Sequence, residues 1–429
     1  MSIAKLPLGE KLRLIRKDRG LSLENIAHET GCSVATLSRL ERGETEVDDI
    51  TFAAIKATLG VENAPLLEDE CEYFTGQIWL VNDMLAADRL EEVKTILQEL
   101  STVLTLPYPQ EILLLYNLTD VRLIFDETGD LQLMQEKLDA DSGYYGQMGD
   151  EARCLYHYGK ASIDNMHNKF KEALKHYLTA LEHKTDNLKT LVPNLLVNIG
   201  CCYGRLGKYL HAVLFFERAN MNYSGDLTAS LKSTIDVQLS VGYRAIGELK
   251  KARQHTAEAL THARRVKYDA AIGLSYTNYA EISIMAGDYN EALGYCEQSF
   301  EYLKDEKRGY DLYLNALYIK AKCLLELKRF AELGVLCAQG KELAKEYPRY
   351  VMLFESIIHL TTLKNSESED FIENITIPEL RKKGPHKPIL YYCGKLEEHF
   401  RKKKSTKRAM AMVEITRDVY KSSIVGVDV

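Results

Sequence analysis

Residues 192–223 read VPNLLVNIGCCYGRLGKYLHAVLFFERANMNY, two amphipathic segments with apolar side chains at helical spacing, joined by a turn that contains Gly207. Such a pair is a helical hairpin. A single hairpin cannot bury its apolar face, so the pattern has to recur if it is to form a core. It does recur. The short turns DRLEEV (88–93), GDLQLM (129–134), NKFKEA (168–173), GKYLHA (207–212), GELKKA (247–252), GDYNEA (287–292), KRFAEL (328–333) and EDFIEN (369–374) align, with an apolar third residue in each. These residues are Leu90, Leu131, Phe170, Tyr209, Leu249, Tyr289, Phe330 and Phe371, separated by 41, 39, 39, 40, 40, 41 and 41 positions.

Around that register, small residues recur. Gly159, Gly200, Gly242, Ala280 and Ala321 lie mid-way along the first segments, and Ala173, Ala212, Ala252 and Ala292 near the start of the second. Small side chains at those places let two helices approach closely. Composition agrees with a folded helical array: 46% hydrophobic and 27% charged residues with only 9 Pro among 429 exclude a disordered, collagen-like or mucin-like chain. No apolar run reaches the roughly 18 residues of a membrane helix, and MSIAKLPLGEKLRLIRKDRG lacks a signal-peptide core, so a cytoplasmic protein is expected. Nine cysteines without a C-x-x-C motif argue against a zinc site or disulfide framework; adjacent Cys201 and Cys202 are read as small packing residues, with a redox pair as the alternative.

At the small residue, at Tyr203 and at the Gly-Asp-Tyr turn, the unit resembles the tetratricopeptide repeat, although its period is near 40 where that repeat has about 34. HEAT-like hairpins are the alternative. The expected fold is all-α: an N-terminal helix-turn-helix domain over 1–66, then a right-handed superhelical solenoid of tetratricopeptide-like hairpins over 67–429. Its clearest repeats lie at about 150–345 and its capping helices at about 388–424. Asn-Ser-Glu-Ser-Glu-Asp (365–370) and RKKGPHKP (381–388) are loop signals that distort the last units. The basic run from Arg401 to Arg408 is read as a solvated helix end rather than a nucleic-acid patch.

The first sixty-odd residues are spaced too tightly for hairpins and fit four short helices. Ser22 caps a helix from Leu23 to Thr30, Gly31 ends it, and Ser33 caps the next, which runs to Arg42. Leu12, Ile15, Leu23, Ile26, Ala27, Val34, Leu37, Leu40, Ile50, Ala53, Ile55 and Leu59 are the expected miniature core, Val34 equally suiting an outward position. LSLENIAHETGCSVATLSRLERGE resembles the Cro/C1-type (Xre-like) helix-turn-helix at its apolar positions, Ala27, Gly31 and the terminal Leu-Glu-x-Gly of 40–43. The resemblance implies that Val34, Ala35, Thr36, Ser38 and Arg39 face bases or the adjacent backbone, and that Arg16 pairs with Glu41. Arg39 is the candidate for bidentate guanine readout, or else a phosphate clamp. Lys11, Arg13, Lys17 and Arg42 are expected on phosphates. With a net charge of −7 and Glu44, Glu46, Asp48 and Asp49 nearby, the positive face is small, so a homodimer, or a tetramer, reading two half-sites of double-stranded DNA is expected.

A DNA-binding head does not need so long an array merely to hold DNA. Stacked hairpins form a concave groove lined by their first helices. The tetratricopeptide register, transferred from the small residue, predicts lining by His157, Asn194, Asn198, Cys201, Asp236, Ser240, Tyr243, Asn278, Glu281, Asn315 and Lys322. An asparagine amide both donates and accepts, so it can hold the backbone of an extended peptide of any sequence. Asn198 and Asn278 occupy the same place two repeats apart.

Head and solenoid together resemble the peptide-responsive quorum-sensing regulators of Gram-positive bacteria, the Rap, Rgg, NprR, PlcR and PrgX group. The resemblance implies a transcription regulator whose groove takes a short signalling peptide that alters dimer geometry or oligomeric state. Headless relatives suggest the alternative, an adaptor that inhibits a signalling protein such as a response regulator. No P-loop, G-x-G-x-x-G, H-E-x-x-H or G-x-S-x-G occurs, and the lookalike GRLGKY (204–209) falls in a hairpin turn. Neither a cofactor, a metal site nor an enzyme is expected.

Overall fold

A computed structural model of the chain describes residues 7–62, 68–87, 89–103, 110–223, 229–303, 310–383 and 386–424. All regular structure among them is helical. The head holds α1 (Leu8–Asp18), α2 (Leu23–Thr30), α3 (Val34–Glu41) and α4 (Asp49–Thr58). The boundaries follow local chemistry. Ser22 Oγ accepts from the Asn25 N–H while the Asn25 side chain accepts from the Ser22 N–H, a reciprocal cap that starts α2, and Gly31 at φ 69° ends it. Ser33 and Asp48 cap α3 and α4 through the N–H groups of Thr36 and Thr51.

Leu12, Ile15, Ile26, Leu37, Leu40, Ile55, Leu59 and Val61 form the head's core, with Leu23, Ala27, Val47 and Phe52 packed against it. Ile50 and Ala53, expected inside, are exposed, and Val34 faces outward. The reason is helical phase. With α4 beginning at Asp49, Phe52, Ile55 and Leu59 share the inward face, and Ile50 and Ala53 lie off it.

Hairpins follow: α5 (Glu68–Ala86) with α6 (Leu90–Val103), α7 (Gln110–Glu127) with α8 (Leu131–Ser142), α9 (Asp150–Met166) with α10 (Phe170–Glu182), and α11 (Val192–Arg205) with α12 (Tyr209–Asn222). Next come α13 (Ala229–Ala245) with α14 (Leu249–Val266), α15 (Asp269–Ala286) with α16 (Tyr289–Leu303), and α17 (Tyr310–Glu326) with α18 (Phe330–Leu343). Seven second helices thus begin at the aligned apolar residue of the repeat. Three residues further on, Val93, Met134, Ala173, Ala212, Ala252, Ala292 and Leu333 are all buried.

The turns share one backbone device. Two residues before the second helix, Gly129, Asn168, Gly207, Gly247, Gly287 and Lys328 all have φ between 59° and 86°. Glycine suits this left-handed position because it has no Cβ to crowd the carbonyl; asparagine tolerates it, and lysine is disfavoured there.

The eighth unit departs from the pattern. After α19 (Pro348–Thr361), α20 (Ser366–Phe371) ends at the aligned Phe371, and a π-helical turn (Ile372–Thr376) leads into α21 (Ile377–Lys383). The loop expected at 365–370 is a helix start: the Asn365 side chain accepts from the Glu367 N–H, and Glu367 and Glu369 suit the positive end of the helix dipole. Residues 384 and 385 of the second expected loop lie outside the described residues. The final pair is α22 (His386–Lys402) and α23 (Thr406–Ile424). Its basic run is tied down by acids: Arg401 to Glu397, Lys402 to Glu398, Lys403 to Glu369, and Arg408 to Glu369 and Glu373.

The chain divides into two compact units, Met1–Leu195 and Leu196–Val429. Within each, first helices stack on first helices (α5 on α7, α7 on α9; α13 on α15, α15 on α17, α17 on α19), and each second helix seen in this way packs on the next first helix (α14 on α15, α16 on α17). Among the described residues, no helix is long and apolar enough to cross a membrane.

Candidate nucleic-acid interface and ligand groove

Helix α3 has two faces. Leu37 and Leu40 are buried, whereas Val34, Ala35 and Arg39 are exposed and Thr36 and Ser38 half-buried. The Arg39 guanidinium has no hydrogen bond or ion pair among the described residues, which leaves its fork of N–H donors available. Arg42 is differently placed: it donates to both Glu44 carboxylate oxygens at 2.8 Å and to Ser38 Oγ at 2.7 Å. A phosphate would have to compete with Glu44 for it. Thr36 Oγ1 lies 2.8 Å from Ser33 Oγ. Arg13 and Lys17 are exposed on α1.

Lys11, expected on a phosphate, is 4% exposed, and its Nζ approaches Cys71 Sγ at 3.8 Å. It sits beside Leu12 on the inward face of α1 and is an interior residue, not a phosphate contact. Two contacts hold α1 to α3. Arg16 donates to Glu41 at 2.6 and 2.9 Å and to the Leu21 carbonyl at 2.9 Å, and a Cβ on Gly9 would stand 2.1 Å from the Leu40 carbonyl oxygen. The backbones of α1 and α3 therefore touch where only hydrogen fits.

In the repeats, counting back from the second helix separates the expected groove residues into two sets. Asn194 and Asn315 lie fifteen positions before it, Asn198 and Asn278 eleven, and Cys201, Glu281 and Lys322 eight. This common register places them on one face of α11, α15 and α17. Except for Asn278, which is 4% exposed, they are half-buried.

The residues expected from α9 and α13 do not share that register. The small-residue place, nine before the second helix, holds Gly200, Ala280 and Ala321, and in α9 and α13 it holds Ala161 and Ser240. Gly159 and Gly242 stand two positions to either side of it. Ser240 is accordingly buried against α14, its hydroxyl 2.6 Å from Thr256 Oγ1. Asp236 is wholly buried and bound to Lys232 at 2.9 and 3.0 Å and to His255 at 3.1 Å. Tyr243 stacks on His255 and donates to Glu217 at 2.5 Å, and burial, followed by that hydrogen bond, pushes its hydroxyl up to about 12. His157 lies between Tyr145 Oη at 2.8 Å and His176 Nδ1 at 2.9 Å, and burial pushes it down to about 4. These four are interior groups. The place at Gly200 is tight as well: a Cβ there would stand 2.4 Å from the Phe216 ring.

One residue on this face has no counterpart in the sequence reading. Arg244, five before the second helix, is 6% exposed and pairs with Glu281 on α15. Burial pushes its guanidinium down to about 10. Lys322 lies over the rings of Tyr318 and Tyr391, 5.6 and 5.0 Å from their centroids, and burial, with the Arg244 charge adding to it, pushes its ammonium down to about 8. The Cys201 and Cys202 thiols are free and pushed up by burial to about 11 and 12, which makes them poor redox nucleophiles.

Comparison with known proteins places this geometry. Residues 7–67 match the model of a helix-turn-helix domain. The transcriptional activator NprA of Geobacillus stearothermophilus is 18% identical over 403 residues, 91% of this chain and 98% of that protein. A Rap protein complexed with competence and sporulation factor superposes with a TM-score of 0.68 at 15% identity, over 82% of this chain and 99% of that one. NprR in complex with its cognate peptide NprX gives 0.61 at 20% identity, over 81% and 99%. The repeats have the fold of the Rap and NprR proteins. With its helix-turn-helix head, the chain resembles the peptide-responsive regulators at both ends of its architecture.

Proposed function

We propose that the chain is a DNA-binding transcription regulator, not an enzyme, whose repeats bind a short linear peptide. The observation that carries the first part is α3: a capped helix, braced by Arg16–Glu41, with a free exposed Arg39 between half-exposed hydroxyls. Arg39 reads a guanine, Val34, Ala35, Thr36 and Ser38 face neighbouring bases or backbone, and Arg13, Lys17 and Arg42 hold phosphates. Two heads of a homodimer meet two half-sites about one DNA turn apart.

The peptide part rests on three recurring places on one helix face, Asn194 with Asn315, Asn198 with Asn278, and Cys201 with Glu281 and Lys322, and on the complex of the similarly folded NprR with a peptide. Amides repeated at helical intervals hold an extended backbone, and the charged pair reads its side chains. Differential affinity of the peptide for two arrangements of the heads then changes DNA binding, typically with about 1 to 3 kcal/mol of coupling. Asn198→Ala with Asn278→Ala tests this. The expected result is DNA binding unchanged and the peptide response abolished; an unaltered peptide titration removes the groove assignment. The alternative, an adaptor role in which the repeats bind a signalling protein, is compatible with DNA binding by α3 and is distinguished by the absence of any peptide response.

A further inference from the structure

His255, Glu258 and His262 stand at intervals of three and four along α14 and so share one face of it. Asp236, on the partner helix α13 of the same hairpin, meets that face with a wholly buried side chain. His255 Nδ1 lies 3.1 Å from Asp236 Oδ1 and 3.3 Å from Glu258 Oε2, and His262 Nε2 lies 3.9 Å from Asp236 Oδ2. One donor atom each of Asp236, His255 and Glu258 falls within 4.8 Å of the other two. Two atoms that each hold a tetrahedral ion at about 2.0 to 2.1 Å stand about 3.3 Å apart, so these groups are spaced as ligands of one ion are.

Hydrogen bonds alone would give similar distances, and charge separates the two readings. Asp236 and Glu258 bring two negative charges. Lys232 returns one, donating to the two Asp236 oxygens at 2.9 and 3.0 Å and to Asn220 Oδ1 at 2.9 Å. A divalent ion with two carboxylates and two neutral imidazoles balances in full, and the Lys232 side chain, partly exposed, can turn out to solvent. The donors are also oriented from behind. The His255 ring stacks on Tyr243 with the planes 3° apart, and Glu258 Oε1 accepts from Gln254 Nε2 at 2.9 Å. Imidazole nitrogens with carboxylate oxygens suit a transition ion such as Zn²⁺, whereas Mg²⁺ and Ca²⁺ take oxygen throughout.

We infer that Asp236, His255, Glu258 and His262 form a binding site for a divalent transition ion of the zinc class, whose place the Lys232 ammonium holds until the ion arrives. Half-buried His262 closes the remaining distance from the rim. The bound ion ties α13 to α14. This site is independent of the peptide reading, because Asp236 lies inside the hairpin, off the register of Asn198 and Asn278.

The test titrates the reduced full chain with Co²⁺ and then with Zn²⁺. One equivalent of Co²⁺ should give the intense visible absorption of tetrahedral coordination without a thiolate charge-transfer band, and Zn²⁺ should bleach it. Glu258→Gln and His262→Gln, both at the rim, should each weaken Co²⁺ binding by about tenfold or more, the loss that even an outer partner of a ligand causes. Far-UV circular dichroism checks that each variant keeps its fold. Lys232→Met, which removes the competing cation, should instead tighten binding by about tenfold. A thiolate band assigns the metal to the free cysteines, and an affinity unmoved in both folded rim variants assigns it to the general surface. Either result, or no binding at all, overturns the site. Unchanged affinity in Lys232→Met overturns the exchange of ammonium for ion.

Discussion

Arg16 and Glu41 join α1 to α3 through two hydrogen bonds of 2.6 and 2.9 Å, with both side chains nearly nine-tenths buried. The contact fixes α3 without taking any group from its outer face. Charge-assisted pairs of this geometry contribute about 1.5 to 3 kcal/mol, and removing one partner strands the other. Arg16→Met should therefore speed hydrogen exchange in α3 and weaken DNA binding while leaving exchange in α13–α18 unchanged.

Arg39 makes no comparable contact, so its removal should spare the fold. Arg39→Ala should lower affinity for a specific site by about tenfold or more, within the 1 to 3 kcal/mol of a bidentate base contact, and should leave the thermal melt unmoved. Equal affinity for specific and scrambled DNA in the variant, against discrimination in the parent, is the expected signature in an equilibrium titration.

The repeated left-handed turn gives opposite outcomes at two equivalent places. Gly287→Ala puts a Cβ at φ 85° and should destabilise by about 1 kcal/mol, whereas Lys328→Gly relieves one at φ 59° and should stabilise by about 0.5 kcal/mol. Urea midpoints measured on the two variants should move in opposite directions.

His157 prescribes an acid sensitivity. Burial, then the charges of His176, His183 and Arg153, hold its pKa at about 4 against an ordinary 6.5, and its Nδ1 shares a hydrogen bond with His176 Nδ1 that requires one nitrogen to accept. Below pH 6.5 the unfolded chain takes up a proton that the folded site resists, so stability is full above that pH and declines as pH falls towards 4. His157→Gln should flatten that part of the pH profile of the melting temperature.

The repeat was legible because its turns carry its register. Leu90, Leu131, Phe170, Tyr209, Leu249, Tyr289 and Phe330 each start a helix, and the left-handed residue always stands two places earlier, wherever the structure describes it. The small residue was a poorer guide. Gly242 is itself close-packed, a Cβ there standing 2.8 Å from Val213, yet the place equivalent to Gly200 is Ser240, whose hydroxyl is bonded to Thr256 on α14. Anchoring on the wrong small residue shifted the α9 and α13 assignments by two positions and turned interior groups into groove candidates. Arg244 escaped for another reason: it stands five before the second helix, outside the three places of that register, and its partner Glu281 lies in the next repeat, invisible to a pattern read along one helix. In the head, Lys11 looked like surface charge because sequence does not show that α5 supplies Cys71 beside it.

The most direct test of the account is equilibrium anisotropy of the full chain on DNA from upstream of its own gene, repeated while titrating a peptide encoded by a short reading frame beside that gene. The account predicts specific binding whose midpoint moves by about fivefold or more as peptide saturates the groove. Specific binding that does not move at any peptide concentration would contradict it.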